Sequence, residues 1–427
     1  MISVATLSIE FMLLYFFRLD GTENPGWLYT VMIILFTLAF SFDIARSKKL
    51  SFARGALLVG YFWRIFLLYL DIYGKSIYSL PNSGADSVGF FREAVAFAAT
   101  GNPEVAQFFP RVMGSLFKFI GNSQLYGQFI ILLTSVVSLV LFAWLLAELK
   151  LDYSVKQSCI LLISLLPNYG ILSVLFLRES PVTMLITLSV FFLFFWLKRG
   201  RTICFLFSFI FSLVASLFHG GSIAVTIGLI VIRILYNRKN EDFHSALRNL
   251  IPALLFSIIV IYLYLNHGDK VFTKVVGVDS ISEIGNTRAE GGSSYAQFVG
   301  DSATPVNLLI YTIPRILYFL FSPFPWQWRG LSDIIAFLFS SAFYFAALWR
   351  CFHYLKSGEK LNRVFLISLL IIAAFTTFVF AWGVSNTGTA TRHRDKMIII
   401  FGLIYSISYL PKKTKLPSET SFTLRKG

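Results

Sequence analysis

The chain has 427 residues, 56% of them hydrophobic and 14% charged, with a mean hydropathy of +0.71. Soluble domains carry about 25% charged residues and roughly 45–50% apolar ones, so this composition excludes an ordinary water-soluble protein. The formal net charge of +15 does not point to nucleic acid, because the cations stand in short runs between long apolar stretches.

A bilayer needs about 20 apolar residues per helix. In chain order, spans are predicted at 2–18, 26–45, 53–72, 124–147, 156–177, 181–197, 202–219, 221–236, 248–266, 332–352, 363–382 and 396–410. The first has no basic flank ahead of it and carries Glu10, which reads as a retained span rather than a cleaved signal. The loop 73–123 holds an amphipathic helix over 87–100, led by Asp86. The apolar stretch 306–326 is interrupted by Pro314, Arg315, Pro323 and Pro325, as expected of broken backbone that lines a cavity. Cys159, Cys204 and Cys351 fall in or beside apolar segments, which argues against a disulfide framework or a thiolate metal site.

Short basic loops orient the spans. The runs are Arg46 to Arg54, Lys198 to Arg201, Arg233 to Arg248, Arg350 to Arg363, and the tail from Lys412 to Lys426. All of them face the cytoplasm if 306–326 is re-entrant or interfacial rather than a full crossing. The expected architecture is an all-α polytopic membrane protein with about twelve transmembrane helices and one re-entrant or interfacial segment. It forms a single transmembrane domain over 1–410 in the cell membrane, with external loops 73–123 and 267–305. A basic cytoplasmic tail, 411–427, lies along the anionic inner leaflet, and both termini are cytoplasmic.

This topology sends the polar residues to the outer side: Asp86, Arg92 and Glu93; Arg178 and Glu179; His219 with Gly220–Gly221; Arg288 and Tyr295; Arg315; Trp326, Trp328 and Arg329; and the run Arg392-His393-Arg394-Asp395-Lys396. Cations on the outer face oppose the positive-inside bias and suggest an anionic ligand, with guanidinium forks suited to phosphate. Each residue also has a structural reading. Asp86 can cap its helix, Arg178 and Glu179 can form an interfacial ion pair, His219 can be an interfacial residue, and the tryptophans can belong to an aromatic belt. The Arg392–Lys396 run and Arg315, set in apolar surroundings, demand more explanation. Gly74-Lys75-Ser76 lacks the upstream glycine of a phosphate loop, no zinc spacing or nucleophile elbow occurs, and no inverted repeat marks a secondary transporter.

The loop Gly84-Ala85-Asp86, with Phe90-Phe91 and Gly101-Asn102-Pro103, resembles the first external loop of polytopic glycosyltransferases of the GT-C superfamily. There an acidic residue serves as catalytic base or metal-site residue. Only Asp86 stands in that place; Glu93 is two helical turns on, so the acidic pair that would hold a metal is incomplete. Leu175-Phe176-Leu177-Arg178-Glu179-Ser180 and Leu217-Phe218-His219-Gly220-Gly221-Ser222 are similar to the polymerases of bacterial O-antigen, capsule and exopolysaccharide repeat units. The runs Tyr318 to Trp326 and Gly388 to Asp395 look like members of Gram-positive polysaccharide gene clusters.

The resemblance implies glycosyl transfer on the outer face from a polyprenyl-linked glycan donor to a glycan acceptor, without nucleic acid. Other polysaccharide-assembly proteins and membrane lipids are the implied partners; no cofactor is implied, and divalent-metal dependence is left open by the incomplete acidic pair. Arg315, Arg392 and Arg394 would neutralise phosphate charge, and Asp86 or His219 would take the acceptor proton. Arg178, Glu179, Arg288, Arg329 and His393 would help bind substrate, and Tyr295, Trp326 and Trp328 would stack on sugars. The Arg178 and His219 signatures favour a repeat-unit polymerase. The Asp86 loop favours a transferase that adds one sugar from a polyprenyl-phosphate donor. A transporter or flippase of lipid-linked glycan is the non-enzymatic alternative, and would spread its charges through the helix midplanes.

Overall fold

The structure, a computed structural model, describes residues 2–18, 24–237, 294–295, 305–354 and 360–409. The expected span 248–266, Arg288 with most of loop 267–305, and the basic tail lie outside the described residues. Among the described residues no strand forms; Ser294 and Asn386 make an isolated bridge. Backbone removed from water must satisfy its own N–H and C=O groups, and a long apolar run does so as a helix.

The helices are α1 (Ile2–Arg18), α2 (Gly26–Arg46), α3 (Arg54–Tyr73), α4 (Ala85–Thr100), α5 (Phe108–Ile120), α6 (Gln124–Glu148), α7 (Tyr153–Leu165), α8 (Pro167–Leu172), α9 (Glu179–Arg199), α10 (Thr202–Phe218), α11 (Ile223–Leu235), α12 (Pro305–Phe321), α13 (Leu331–Tyr354), α14 (Lys360–Trp382), α15 (Thr387–Asp395) and α16 (Ile398–Ile407). Six of them are long and apolar enough to cross a membrane: α2, α3 with the turn before it, α6, α9, α13 and α14. Leu38, Phe62, Phe66, Ile203 and Phe345 stand exposed on the flanks, a surface suited to lipid rather than water.

Helices α6 and α9 occupy the centre, with 67% and 72% of their apolar stretches buried against 33% for α13. α9 packs between α6 and α10, and α11 packs on α14. α9 ends cleanly because Gly200 takes a left-handed φ of 66° and returns its N–H to the Trp196 carbonyl at 2.7 Å. At the other end of the chain order α6 begins on Ser123, whose hydroxyl accepts from the Tyr126 N–H at 3.2 Å.

Four segments differ from the sequence expectation. The span 156–177 is not one helix: α7 stops at Leu165 and α8 restarts at Pro167 and ends at Leu172. Arg64 satisfies the break. Its Nη1 donates to the Ser164 carbonyl at 2.8 Å and the Gly60 carbonyl at 2.9 Å, and its Nε to Ser135 Oγ at 3.0 Å. The stretch 306–326, expected to be interrupted at Pro314, Arg315, Pro323 and Pro325, is a continuous helix through Pro314 and Arg315 that ends at Phe321, before Pro323 and Pro325. The loop 73–123 carries two helices: α4 starts at Ala85 rather than 87, and α5 packs against it with one strongly apolar face. Finally, the last span is shorter than 396–410 and is preceded by the polar helix α15, most of which is buried.

The charges Glu10, Arg64 and Arg315, set within apolar helices, are inside the protein, as their solvation requires. Glu10 accepts a hydrogen bond from Tyr126 Oη at 2.9 Å, Arg64 is fully buried, and Arg315 lies 4.4 Å over the Trp382 ring.

Candidate functional site

Helix α15 carries the site. Asn386 opens it, its side chain accepting from the Gly388 and Thr389 N–H groups at 2.8 and 3.4 Å. The strand-like residues just before it are pinned by Tyr295, whose N–H donates to the Ser385 carbonyl at 2.9 Å and whose hydroxyl donates to the Val384 carbonyl at 3.2 Å. Nine polar-rich residues are thereby held inside an apolar bundle, where only partnered charges are tolerable.

Arg392 is the centre of the arrangement. One guanidinium nitrogen, Nη1, hydrogen-bonds the Asp86 carboxylate, and the other, Nη2, donates to Glu179 Oε1 at 3.0 Å. Lys396, one helical turn further, places Nζ 3.7 Å from the same Glu179 oxygen. Exposure is graded across this chain of charges: the Asp86 side chain is 61% exposed, Arg392 14%, Glu179 3% and Lys396 0%. The pair Asp86–Arg392 therefore forms the mouth and Glu179–Lys396 the floor.

Asp86 is not a helix cap. Gly84 holds the N-cap position, and Asp86 lies in the first turn of α4, where its charge suits the helix dipole. Its flanks are fixed from below. Asp71, buried at the end of α3, accepts from Ser83 Oγ and from Gln128 Nε2, the latter at 2.9 Å, and Ser87 Oγ accepts from the Phe176 N–H at 3.2 Å. Arg178, preceding α9, reaches Gln107 Oε1 at 3.5 Å and lies 5.6 Å over the Phe90 ring. Glu93 does not join the acidic group; its Oε2 accepts the Gln107 N–H at 2.9 Å and so braces α4 against α5.

The two histidines meet. The ring centroids of His219 and His393 are 4.7 Å apart at 79°, and both rings pack on Phe380, at 5.3 and 5.1 Å. Gly221 allows that packing, since a Cβ there would come within 2.5 Å of the Phe380 ring. Burial, followed by the nearby charges of Lys396, Arg392 and Arg178 and the neighbouring His219, holds His393 well below the usual histidine range. Burial works against the charge of Arg392, but Glu179 and Asp86 outweigh it and raise its pKa.

Of the residues singled out from sequence, Asp86, Arg178, Glu179, His219, Arg392 and His393 come together. Arg394 does not. Its side chain turns to the opposite side of α15 and donates to the Phe319 and Leu320 carbonyls at 3.3 and 2.7 Å, closing the C-terminal end of α12. Arg315 lies over Trp382 and reaches the Ala381 carbonyl at 3.4 Å. Tyr295 is fully buried, which leaves no ring face for a sugar. Trp326 is exposed and stacks on Phe324, Trp328 Nε1 donates to the Pro323 carbonyl at 3.2 Å, and Arg329 pairs with Asp333 at 3.8 Å on the surface.

Lys396 joins the site as part of the Arg392–Lys396 run, four residues from Arg392 and so on the same helical face. Phe380, Gln107 and Asp71 were not singled out from the sequence, yet they line or position the site. Among the described residues no group of three His, Cys, Asp or Glu side chains is placed to hold a metal ion. The arrangement can bind an anion between guanidinium groups, and it offers a rim carboxylate and an imidazole as proton acceptors. Comparison with family models, with curated proteins and with solved structures gives no match.

Proposed function

We propose that the chain is a membrane glycosyltransferase of bacterial surface-polysaccharide assembly, which polymerises polyprenyl-diphosphate-linked oligosaccharide repeat units at the outer face of the cell membrane. The observation that supports this reading most directly is the meeting of Arg392, Arg178, Asp86 and the His219–His393 pair at one end of α9. About twelve spans with both termini cytoplasmic complete the proposed architecture.

In the proposed reaction an acceptor hydroxyl attacks the anomeric carbon of the donor, the bond from that carbon to the diphosphate oxygen breaks, and the lipid diphosphate leaves with the bonding pair. The leaving group is tethered in the membrane, so no nucleotide-binding domain is needed. Arg392 and Arg178 meet the growing charge on the diphosphate, a contribution of roughly 3 kcal/mol for one well-aimed donor. Asp86 would give up Arg392 to the incoming phosphate and, together with His219, is a candidate to accept the acceptor proton. Polyprenyl-linked donor and glycan acceptor are thus the proposed partners.

A second reading has a specific observation behind it. Asp86 bonds directly to the central arginine, which suits a transferase that adds a single sugar from a polyprenyl-phosphate donor. The lipid-linked and surface glycans of a deletion strain, complemented by wild type, Arg392→Ala or Arg178→Ala, separate the two. Accumulated single repeat units without long polymer are expected in the deletion and in both variants. A polymer of normal length lacking one sugar would transfer the assignment to the single-sugar reading, and an unchanged profile in the deletion would end both.

A further inference from the structure

A second polar cluster lies beside the candidate site, around a cavity that Asp86, Arg178, Glu179 and Arg392 do not line. At the end of α15, Asp395 is 2% exposed, and its Oδ2 has no hydrogen-bond partner. It lines a small cavity together with Leu166, Pro167, Asn168, Ser340 and Ile398. Two further orphan atoms share that cavity: Ser340 Oγ, on a residue 4% exposed, and Asn168 Nδ2. Three unsatisfied polar groups around one apolar-walled space are too many to be incidental in a packed interior.

Both flanking cations are engaged elsewhere. Arg394 donates to the α12 carbonyls and Lys396 lies against Glu179, so neither forms an ion pair with Asp395. The backbone around the cavity is irregular on both sides. One wall is the break between α7 and α8, and the other is the π-helical turn Ala336–Ser341 within α13. A π turn widens a helix by one residue and re-aims its side chains, here Ser340. Irregular backbone at membrane depth is tolerated where it lines a cavity.

We propose that Asp395, Ser340 and Asn168 form a binding site for one small monovalent cation, sodium. The cavity is sized for a single water-like body, which excludes sugar and phosphate. One carboxylate with neutral oxygen donors suits a singly charged ion, whereas divalent cations recruit more carboxylate charge. The Asn168 amide turns its oxygen inward by a simple flip. The site does not rest on the glycosyl-transfer reading, and its test does not measure activity.

The full-length chain, purified in detergent, is melted in NaCl, KCl and choline chloride at equal ionic strength, followed by tryptophan fluorescence. A saturable rise in Tm of about a few degrees, larger in sodium than in the other two salts, is expected for wild type. Asp395→Asn is expected to melt alike in all three. Ser340→Ala is expected to shift half-saturation to at least about tenfold more sodium. Superimposed wild-type curves, or a rise shared by every salt, would mean an ordered water only and overturn the site. So would a sodium-specific rise retained in Asp395→Asn. If that variant does not fold, an unchanged half-saturation in Ser340→Ala overturns it instead.

Discussion

Arg392 uses the two arms of its guanidinium on two different carboxylates, Asp86 at the mouth and Glu179 on the floor. A lysine has one point of charge and cannot reproduce that fork. Arg392→Lys is therefore expected to accumulate in the membrane at near-normal levels while chain extension falls at least about tenfold. Arg392→Ala, which leaves the buried Glu179 without its one hydrogen-bonded cation, is expected to lose about 3–5 kcal/mol of stability as well, read as a lowered Tm. Wild-type chain extension in Arg392→Lys would remove the fork from the explanation. His393 gives a pH test. Its folded-state pKa is depressed by burial, then by Lys396, His219, Arg392 and Arg178, so the unfolded chain binds the proton more readily. Its contribution to stability is present above the unfolded pKa of about 6.5 and is lost as pH falls below it. Tm is expected to drop between about pH 6.5 and 5, and less steeply in His393→Gln. At this scale the sequence exposed the cationic run but not its division of labour. Arg392 and Lys396 lie one turn apart on one face, and Arg394 is rotated to the other; helical phase alone separates them once 387–395 is known to be a helix. Tyr295 could not have been sorted from sequence, because its burial depends on Val384 and Ser385, about ninety residues on.

Two prolines in apolar stretches behave oppositely, and the reason is tertiary. Pro167 ends α7, and the carbonyl left without a helical partner at Ser164 is taken by Arg64 from α3. Pro314 sits inside α12, which continues through it. Nothing local distinguishes them; what differs is an arginine a hundred residues away that can satisfy the break. Arg64→Met keeps the volume and removes the donors. It is expected to destabilise the chain by about 2–3 kcal/mol through an unsatisfied buried carbonyl, and to raise protease sensitivity near 165–173. A Tm equal to wild type would show that the break stands without the arginine. Long apolar elements were legible because their length alone decides them, as for α2, α6 and α14. Short ones were not. The face of α5 and the helix α15 are too brief for a hydropathy window, and α15 is buried although polar, which inverts the usual reading.

Across the whole molecule, α9 carries two opposed ends. Glu179 at its start belongs to the site with Arg392 and Asp86, and Lys198 near its finish pairs with Glu148 at 2.7 Å. Glu148 is shared with Lys49, also at 2.7 Å, so three short loops are gathered at the end of the bundle away from the site. At 1.5 Å per residue, the 21 residues of α9 separate these ends by about 30 Å, the thickness of a hydrocarbon core. The clamp is made of basic loops, and the positive-inside bias behind the proposed topology would put them in the cytoplasm and the site outside. In a background lacking Cys159, Cys204 and Cys351, Glu104→Cys lies on the site side and Arg201→Cys on the clamp side, both exposed. A membrane-impermeant maleimide applied to intact spheroplasts is expected to modify the first and to reach the second only after the membrane is opened. Labelling of Arg201→Cys alone would invert the molecule and place the site on the cytoplasmic face, where lipid-linked repeat units are built rather than joined. Labelling of both from outside would mean that α9 does not span, and the separation of site from clamp would then have no bilayer between its ends.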